Sequence, residues 1–307
     1  YHLPAGPLAA DYFDGALELE PVRSLGTRLR RNQLVRHLLF NPVNLVGVII
    51  LLVVAFLTLF GPFVTPYSPI KPDYTSMLTG PSHAHLFGTD QIGDDIFSRV
   101  LAGARLSIFT AISVLAIALV IGLTLGAIAG LAGGWIDEII MRLTDMFLAF
   151  PSLILALAIA TSLGPGLTSA AIALSMGFWP WYARLLRGQV LALKNLEYVT
   201  AATSLGVSRV GILWRHILPN AMGPIIVELS LDMGYAVLST AALSFIGLGA
   251  QPPSPEWGAM IVSGRDYLST GPWATAFPGL ALTLSVLAFN LVGDGLRDSL
   301  DPRGQVR

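Results

Sequence analysis

Five stretches of this chain run without a single charged side chain: residues 43–64, 106–136, 146–183, 233–255 and 267–293. A bilayer hydrocarbon core is about 30 Å thick and is crossed by roughly 20 helical residues at about 1.5 Å rise each. Lipid offers the backbone no hydrogen-bond partner, so runs of this kind must be helical. The longest is divided by Gly164-Pro165-Gly166, which predicts a helical hairpin rather than one span. The expectation is an all-α integral membrane protein with six transmembrane helices. They lie near 43–64, 106–132, 142–163, 167–185, 219–249 and 273–296. Only 12% of the 307 residues are charged and 54% are hydrophobic. Soluble domains carry about 25% charge, so too little polar surface is present to cover a soluble fold.

Lys and Arg set the expected orientation. With the N-terminus inside, fourteen of the eighteen basic residues fall on inner segments. Lys71, Arg99, Arg105 and Arg265 remain outside. Residues 1–40 then form a cytoplasmic N-terminal segment, 41–303 a transmembrane domain and 304–307 a short tail. Segments 65–105 and 250–272 face out, and 187–218 is the largest inner loop. Residues 1–40 hold no apolar signal-peptide core, so the first helix is expected to be an uncleaved anchor. With a net charge of −1 the chain has no general basic field for nucleic acid. The absence of cysteine excludes disulfides, thiolate metal sites and thiol catalysis.

Two loops carry information. In the outer one, Asp90, Asp94 and Asp95 lie near His83 and His85. Clustered carboxylates and imidazoles suit metal ions, but the spacing matches no ligand pattern. The other reading is a helix start capped by Thr89 or Asp90. In the inner loop, Tyr198, Ala201, Ala202 and Leu205 recur at helical spacing after Glu197 and predict a short amphipathic helix stopped by Gly206. A second short helix comes next, capped by Ser208, with Val210, Leu213, Trp214 and Ile217 on one stripe. Leu218-Pro219 then opens the fifth span. This hairpin either rests on the membrane surface or forms a knob for a cytoplasmic partner.

No P-loop, Gly-x-Ser-x-Gly elbow, His-Glu-x-x-His or dinucleotide glycine fingerprint is present, and neither Lys71 nor Lys194 follows a glycine. Any ATP used must be bound by another polypeptide. Glu228 and Asp232 stand four residues apart on the fifth span and share a face. An acid at mid-span costs roughly 2.5–3.5 kcal/mol on insertion scales. The pair either lines a wet pathway or hydrogen-bonds a neighbouring helix. Asn290 admits the same two roles. Asp145 is expected to pair with Arg142, and Trp179, Trp181 and Tyr182 to form an interfacial aromatic belt.

The inner loop, with Ala201-Ala202, Gly206 and Leu218-Pro219, resembles the "EAA" loop of permease subunits of bacterial ATP-binding-cassette (ABC) importers. Four further stretches resemble the C-type permeases of the dipeptide, oligopeptide and nickel group. They are Gly88-Thr-Asp-Gln-Ile-Gly-Asp-Asp-Ile-Phe-Ser-Arg99, Ala242-Leu-Ser-Phe-Ile-Gly-Leu-Gly249, Gln251-Pro-Pro-Ser-Pro-Glu-Trp-Gly258 and Asn290-Leu-Val-Gly-Asp-Gly-Leu-Arg-Asp-Ser-Leu-Asp-Pro302. The resemblance departs at Thr200, Asp94 and Thr240, where relatives carry Glu, Arg and Glu. It implies a type I importer permease fold in a bacterial inner membrane, with both termini cytoplasmic. It also implies a homologous permease as heterodimer partner, two ATPases that hold ATP and Mg, an extracytoplasmic substrate-binding protein, and peptide cargo. The chain itself would hold no cofactor or metal and catalyse no reaction. Glu197, Tyr198, Ala201, Ala202, Leu205, Gly206, Leu218 and Pro219 would couple to an ATPase. Glu228, Asp232 and Asn290 would line the pathway. The rival reading is an ion-gradient transporter that uses Glu228 and Asp232.

Overall fold

The computed structural model describes residues 41–300. The expected N-terminal segment 1–40 and tail 304–307 lie outside the described residues. Ten α-helices run through the described part: α1 (Pro42–Val64), α2 (Ile96–Ala132), α3 (Gly134–Leu148), α4 (Ser152–Leu163), α5 (Leu167–Leu193), α6 (Glu197–Ser204), α7 (Arg209–Ile212), α8 (Leu218–Phe245), α9 (Trp257–Gly264) and α10 (Trp273–Leu300). A π-helical turn, Leu213–Ile217, joins α7 to α8.

The expected count of six spans is not matched by long apolar helices alone. Pro42–Phe63, Ile96–Ala132, Arg209–Phe245 and Trp273–Ser299 are long and apolar enough to cross a membrane. The pair α3 and α4, bent by 89° at their junction, is long and apolar enough as well if it counts as one span. The expected helix 142–163 is therefore two helices. Pro151 lacks an N–H and takes extended geometry at the N-cap of α4, so the helical ladder cannot pass through it. The expected span 167–185 is α5, which continues to Leu193 through Arg184 and Arg187. Its polar and aromatic residues lower its apolarity, yet Ser175, Trp179 and Tyr182 are buried in protein. That corrects the expected aromatic belt: of the three aromatic residues, Trp181 alone is exposed.

The centre of the bundle is the seam between α2 and α5. Gly122, Gly126 and Gly130 fall one turn apart on α2. A Cβ on Gly122 would lie 2.5 Å from the Trp179 carbonyl oxygen, and one on Gly130 would lie 2.6 Å from Cβ of Val190. With no side chain in the way the two backbones approach closely, the packing by which helices associate in lipid. Around this seam α1 and α8 pack on α2, α4 packs on α5, and α10 bridges α1 and α8. At 37 residues, α2 is about 55 Å long and overshoots a bilayer.

The excess of α2 is embedded in the loop end of the bundle. Asp95 caps α2 by accepting from Ser98 N at 2.8 Å, so neither Thr89 nor Asp90 is the cap. Arg99 is buried with Asp94 and Asp90 as ion-pair partners, and His85 Nδ1 lies 3.0 Å from Asp95 Oδ1. Burial pushes the Asp94 carboxyl above its ordinary range; Arg99 opposes the shift and Asp90 adds to it. Of the three acids, Asp95 caps the helix while Asp90 and Asp94 flank an arginine. Glu256, fully buried, caps α9 by accepting from Ala259 N at 2.9 Å and also accepts from Ser107 Oγ of α2 at 3.2 Å. Trp257 Nε1 donates to the Val100 carbonyl, and Trp273 Nε1 to that of Thr89. These bonds tie the loops to α2, α9 and α10.

Candidate functional site: a knob, a rod and an acid pair

The opposite end of the bundle begins where α5 stops. Lys194, its C-cap, reaches across to donate from Nζ to the Gly130 carbonyl at 3.1 Å, which holds the ends of α2 and α5 together. After Leu196 the chain turns into α6, which ends at Ser204. Gly206 sits just beyond with φ of 82° and nothing within 4 Å of the place a Cβ would occupy. The left-handed backbone, not crowding, selects glycine here. Val207 N donates back to the Ala202 carbonyl at 3.1 Å, and Ser208 Oγ accepts from Gly211 N at 3.2 Å to start α7.

Beyond Ser208 the chain departs from the expected short helix, link and separate span. Arg209 to Phe245 is one continuous helical rod of 37 residues. Pro219 has no N–H to donate in an α-helical ladder, and the turn before it relaxes to π geometry, with Leu218 N donating to Leu213 O. Asn220 Nδ2 donates to the His216 carbonyl at 2.5 Å and covers an acceptor freed by this turn. Leu218 and Pro219 therefore lie inside the rod rather than at a joint.

The knob rests on a small apolar cluster. Val199 of α6, Ile212 of α7 and Ile217 are buried with Val190 of α5, Ala127 of α2 and Ile225 of α8. The Tyr198 ring lies 5.9 Å from that of His216 and braces α6 against the rod. The face read from sequence as Tyr198, Ala201, Ala202 and Leu205 turns outward, with only Ala202 half-buried. Leu205 is 86% exposed, and Trp214 and Val210 stand 64% and 63% exposed. The second stripe divides: Ile217 enters the core while Val210 and Trp214 do not. Val199, which sequence reasoning passed over, is the residue that seats α6. Its signal was an apolar β-branched residue one turn before Ala202 and on the side of the helix away from Ala201. Glu197, at the start of α6, is exposed.

Further along the rod, Glu228 and Asp232 are both half-buried, one turn apart. Tyr182 of α5 donates its phenol hydrogen to Asp232 Oδ2 at 2.7 Å. Tyr182 is itself fully buried against the glycine face of α2. The structure thus joins Asp232 to a residue that the sequence placed in an interfacial belt. Gly122 marks the spot, since Tyr182 packs on it. Asn290 of α10 is exposed, with its Oδ1 beside Gly234 of α8, two residues beyond Asp232. At the knob end, Arg187 clamps Asp137 with bonds of 2.5 and 2.7 Å, and Arg184 meets Asp145 at 2.6 Å. Asp145 therefore pairs across to α5 and not with Arg142, which pairs with Glu138. Among the described residues no group of three or more His, Cys, Asp or Glu side chains is placed to hold a metal ion.

Residues 122–305 match the family described as binding-protein-dependent transport system inner membrane component. Residues 28–81 match the N-terminal transmembrane domain of oligopeptide transport permease C. The chain is 46% identical to the probable D,D-dipeptide transport system permease protein DdpC of Escherichia coli K12, over 90% of this chain and 93% of that one. It is 45% identical to the dipeptide transport system permease protein DppC of Alkalihalophilus pseudofirmus, over 86% of each chain. It is 44% identical to the glutathione transport system permease protein GsiD of Pectobacterium atrosepticum, over 84% and 85%. Among solved structures, the inward-facing MetNI methionine ABC transporter shares the fold. Its TM-score is 0.54 at 18% identity, covering 65% of this chain and 95% of that one.

Proposed function

The chain belongs to the family of binding-protein-dependent transport system inner membrane components, and from that premise we propose that it gates the passage of short peptides by levering one rigid helix. It is a permease subunit of an ABC importer, a bacterial inner membrane protein of type I importer permease fold. The ATPase activity of such a system lies in separate subunits. In our reading it forms a heterodimer with a homologous permease, and two ATPases carry ATP and Mg. An extracytoplasmic binding protein delivers the cargo. The knob faces the cytoplasm together with both termini, and residues 65–105 and 250–272 face out.

One observation carries the reading: the helix from Arg209 to Phe245 is unbroken, with exposed apolar side chains at one end and the acid pair in its middle. Docking of an ATPase on Glu197, Tyr198, Ala201, Ala202 and Leu205 displaces the knob. Gly206 fixes the knob's shape, and Leu218 and Pro219 lie within the rod that transmits the movement. A rod of this kind turns a push at Trp214 into a tilt at Asp232, about 27 Å away. The tilt alters the contact of α8 with α5 at Tyr182. ATP binding and hydrolysis bias two arrangements of the bundle, which is all that coupling between distant sites requires. Glu228 and Asp232, with Asn290 nearby on α10, offer carboxylates and an amide to a passing peptide. Its ammonium end is the group two carboxylates receive best.

The test is uptake by the purified four-subunit complex in vesicles with the binding protein. Di- and tripeptide uptake should require ATP and persist when an ionophore collapses ion gradients. Uptake that ignores ATP and stops with the ionophore overturns the reading. Asp232→Asn should weaken uptake of peptides with a free amino terminus more than that of N-acetylated ones. Equal losses would remove the acid pair from the pathway.

A further inference from the structure

Near the loop end a groove of about 400 Å³ opens between α2 and α5, lined by Arg105, Phe109, Ser113 and Ile117 of α2 and by Thr168 and Ile172 of α5. No residue of α8 lines it, so it lies apart from the helix that carries the acid pair and the knob. Its walls are mostly apolar, with one cation at its mouth. Arg105 is exposed, and its guanidinium carbon lies 6.0 Å from the centre of the Phe109 ring. Every other described arginine within or beside the loop end has a carboxylate partner: Arg99 has Asp94 and Asp90, and Arg265 has Asp266. Arg105 makes no ion pair among the described residues.

The sequence bounds its height in the membrane. Arg105 is the last charged residue before the uncharged run 106–136, and at about 46 Å that run is longer than the hydrocarbon core, so Arg105 stands at or outside the level where headgroups begin. From Arg105 to Ile117 is twelve residues, or about 18 Å along the helix. One leaflet of a bilayer core is about 15 Å deep. The groove thus has a positive charge at headgroup level and an apolar trench one leaflet long beneath it. Thr110 and Ser113 turn their hydroxyls back onto the Leu106 and Phe109 carbonyls and leave little polarity in the trench.

We propose that this groove is a binding site for an anionic phospholipid in the leaflet on the side of residues 65–95. Arg105 holds the headgroup phosphate, and one acyl chain lies along Phe109, Ile117 and Ile172. A guanidinium forms paired charge-assisted bonds to phosphate oxygens, and its stacking on Phe109 holds it in place while its outer edge stays free. The lipid would fill the α2/α5 groove and stiffen the seam on which Tyr182 and Asp232 are positioned.

The experiment uses the whole transporter, purified with its partner subunits, in nanodiscs of phosphatidylcholine containing a minor fraction of phosphatidylglycerol. Phosphatidylglycerol retained after extraction is counted by native mass spectrometry. Arg105→Gln should lower retention about five-fold, the effect of one basic residue near an anionic surface, while Arg105→Lys keeps most of it. Ile172→Trp, which fills the trench and leaves the charge, should lower it as well. Equal retention in Arg105→Gln and wild type overturns the proposal. So does loss of the partner permease from the Arg105→Gln complex, which would mean that protein covers the groove. A half-saturating peptide concentration that differs between Arg105→Gln and wild type in discs of phosphatidylcholine alone, where no anionic lipid is present, also overturns it, because the groove would then serve the cargo.

Discussion

At the loop end of the bundle Arg99, Asp94 and Asp90 are buried together, Glu256 is sealed between α2 and α9, and two tryptophan N–H groups find backbone acceptors. At the knob end Leu205, Val210 and Trp214 point into the open, and α6 is seated by little more than Val199. Both ends connect the same long helices. The loop end pairs most of its buried polar groups with one another, although Asp94 Oδ1 and Arg99 Nε have no hydrogen-bond partner among the described residues. The knob end leaves apolar surface uncovered, which in a soluble part of a protein marks a surface for a partner. A gate moved from one side, as proposed above, needs a fixed end and a handle, and the two ends of the bundle differ in the way those two roles require.

The contrast breaks first at Arg99. Removing its charge leaves two buried carboxylates facing each other, so Arg99→Met should lower stability by about 3–5 kcal/mol. Thermal unfolding of the detergent-solubilised complex, or its yield in membranes, measures this. Unchanged unfolding would mean that the loop end is no firmer than the knob. Glu256→Ala comes next. It removes a helix cap and strands the Ala259 N–H and the Ser107 hydroxyl, for about 1–2 kcal/mol. Glu256→Gln, which still accepts hydrogen bonds, should cost less. The same assay ranks the two, and equal losses would show that the carboxylate charge, not the cap, is what matters.

Most of this architecture is legible in the sequence. Uncharged runs announce membrane helices because lipid punishes charge and unpaired backbone alike, so α1, α2 and α10 could be read almost directly. The knob was legible from Gly206 and Ser208, whose backbone and side-chain roles are local. The misreadings came from tertiary choices. Pro151 reads as a helix start or a helix break with equal ease, and only packing of α4 on α5 decides for an 89° bend. The rod is not legible because Pro219 is at home both at a new start and inside a helix that can borrow a π turn. Tyr182 reads as interfacial because its ring has an apolar body and a polar tip. What places it in the core is Gly122, sixty residues earlier, which leaves room for it. Asp94 and Arg99 were likewise readable as charges but not as partners.

Within the knob the comparison can be sharpened at Gly206. Its φ of 82° and the open space around it mean that a side chain meets only the backbone penalty. Gly206→Ala should therefore cost about 1–2 kcal/mol, less than Arg99→Met, and Gly206→Asn should cost less again because Asn tolerates that region. No loss in Gly206→Ala by thermal unfolding would mean that the turn yields without strain and that the knob is not a fixed shape.

The smallest effect on stability belongs to the side chain with the largest proposed role. Leu205 is 86% exposed, so Leu205→Ser removes almost no buried surface from this subunit. Its stability, measured on the subunit freed of ATPase, should stay within about 0.5 kcal/mol of wild type. ATP-driven peptide uptake should nonetheless fall steeply, and co-purification with the ATPase should weaken, because an apolar anchor at the centre of an interface contributes far more to binding than to the fold of the chain that bears it. Trp214→Ser should behave in the same way, being exposed on the rod just below. Arg99→Met offers the opposite pairing, with stability lost and the exposed face of the knob untouched. If Leu205→Ser destabilises the isolated subunit as much as it impairs uptake, the exposed face is part of the fold after all. If it leaves uptake intact, the handle lies elsewhere on the cytoplasmic side, and the exposed apolar face of α6 and α7 would have to be covered by lipid.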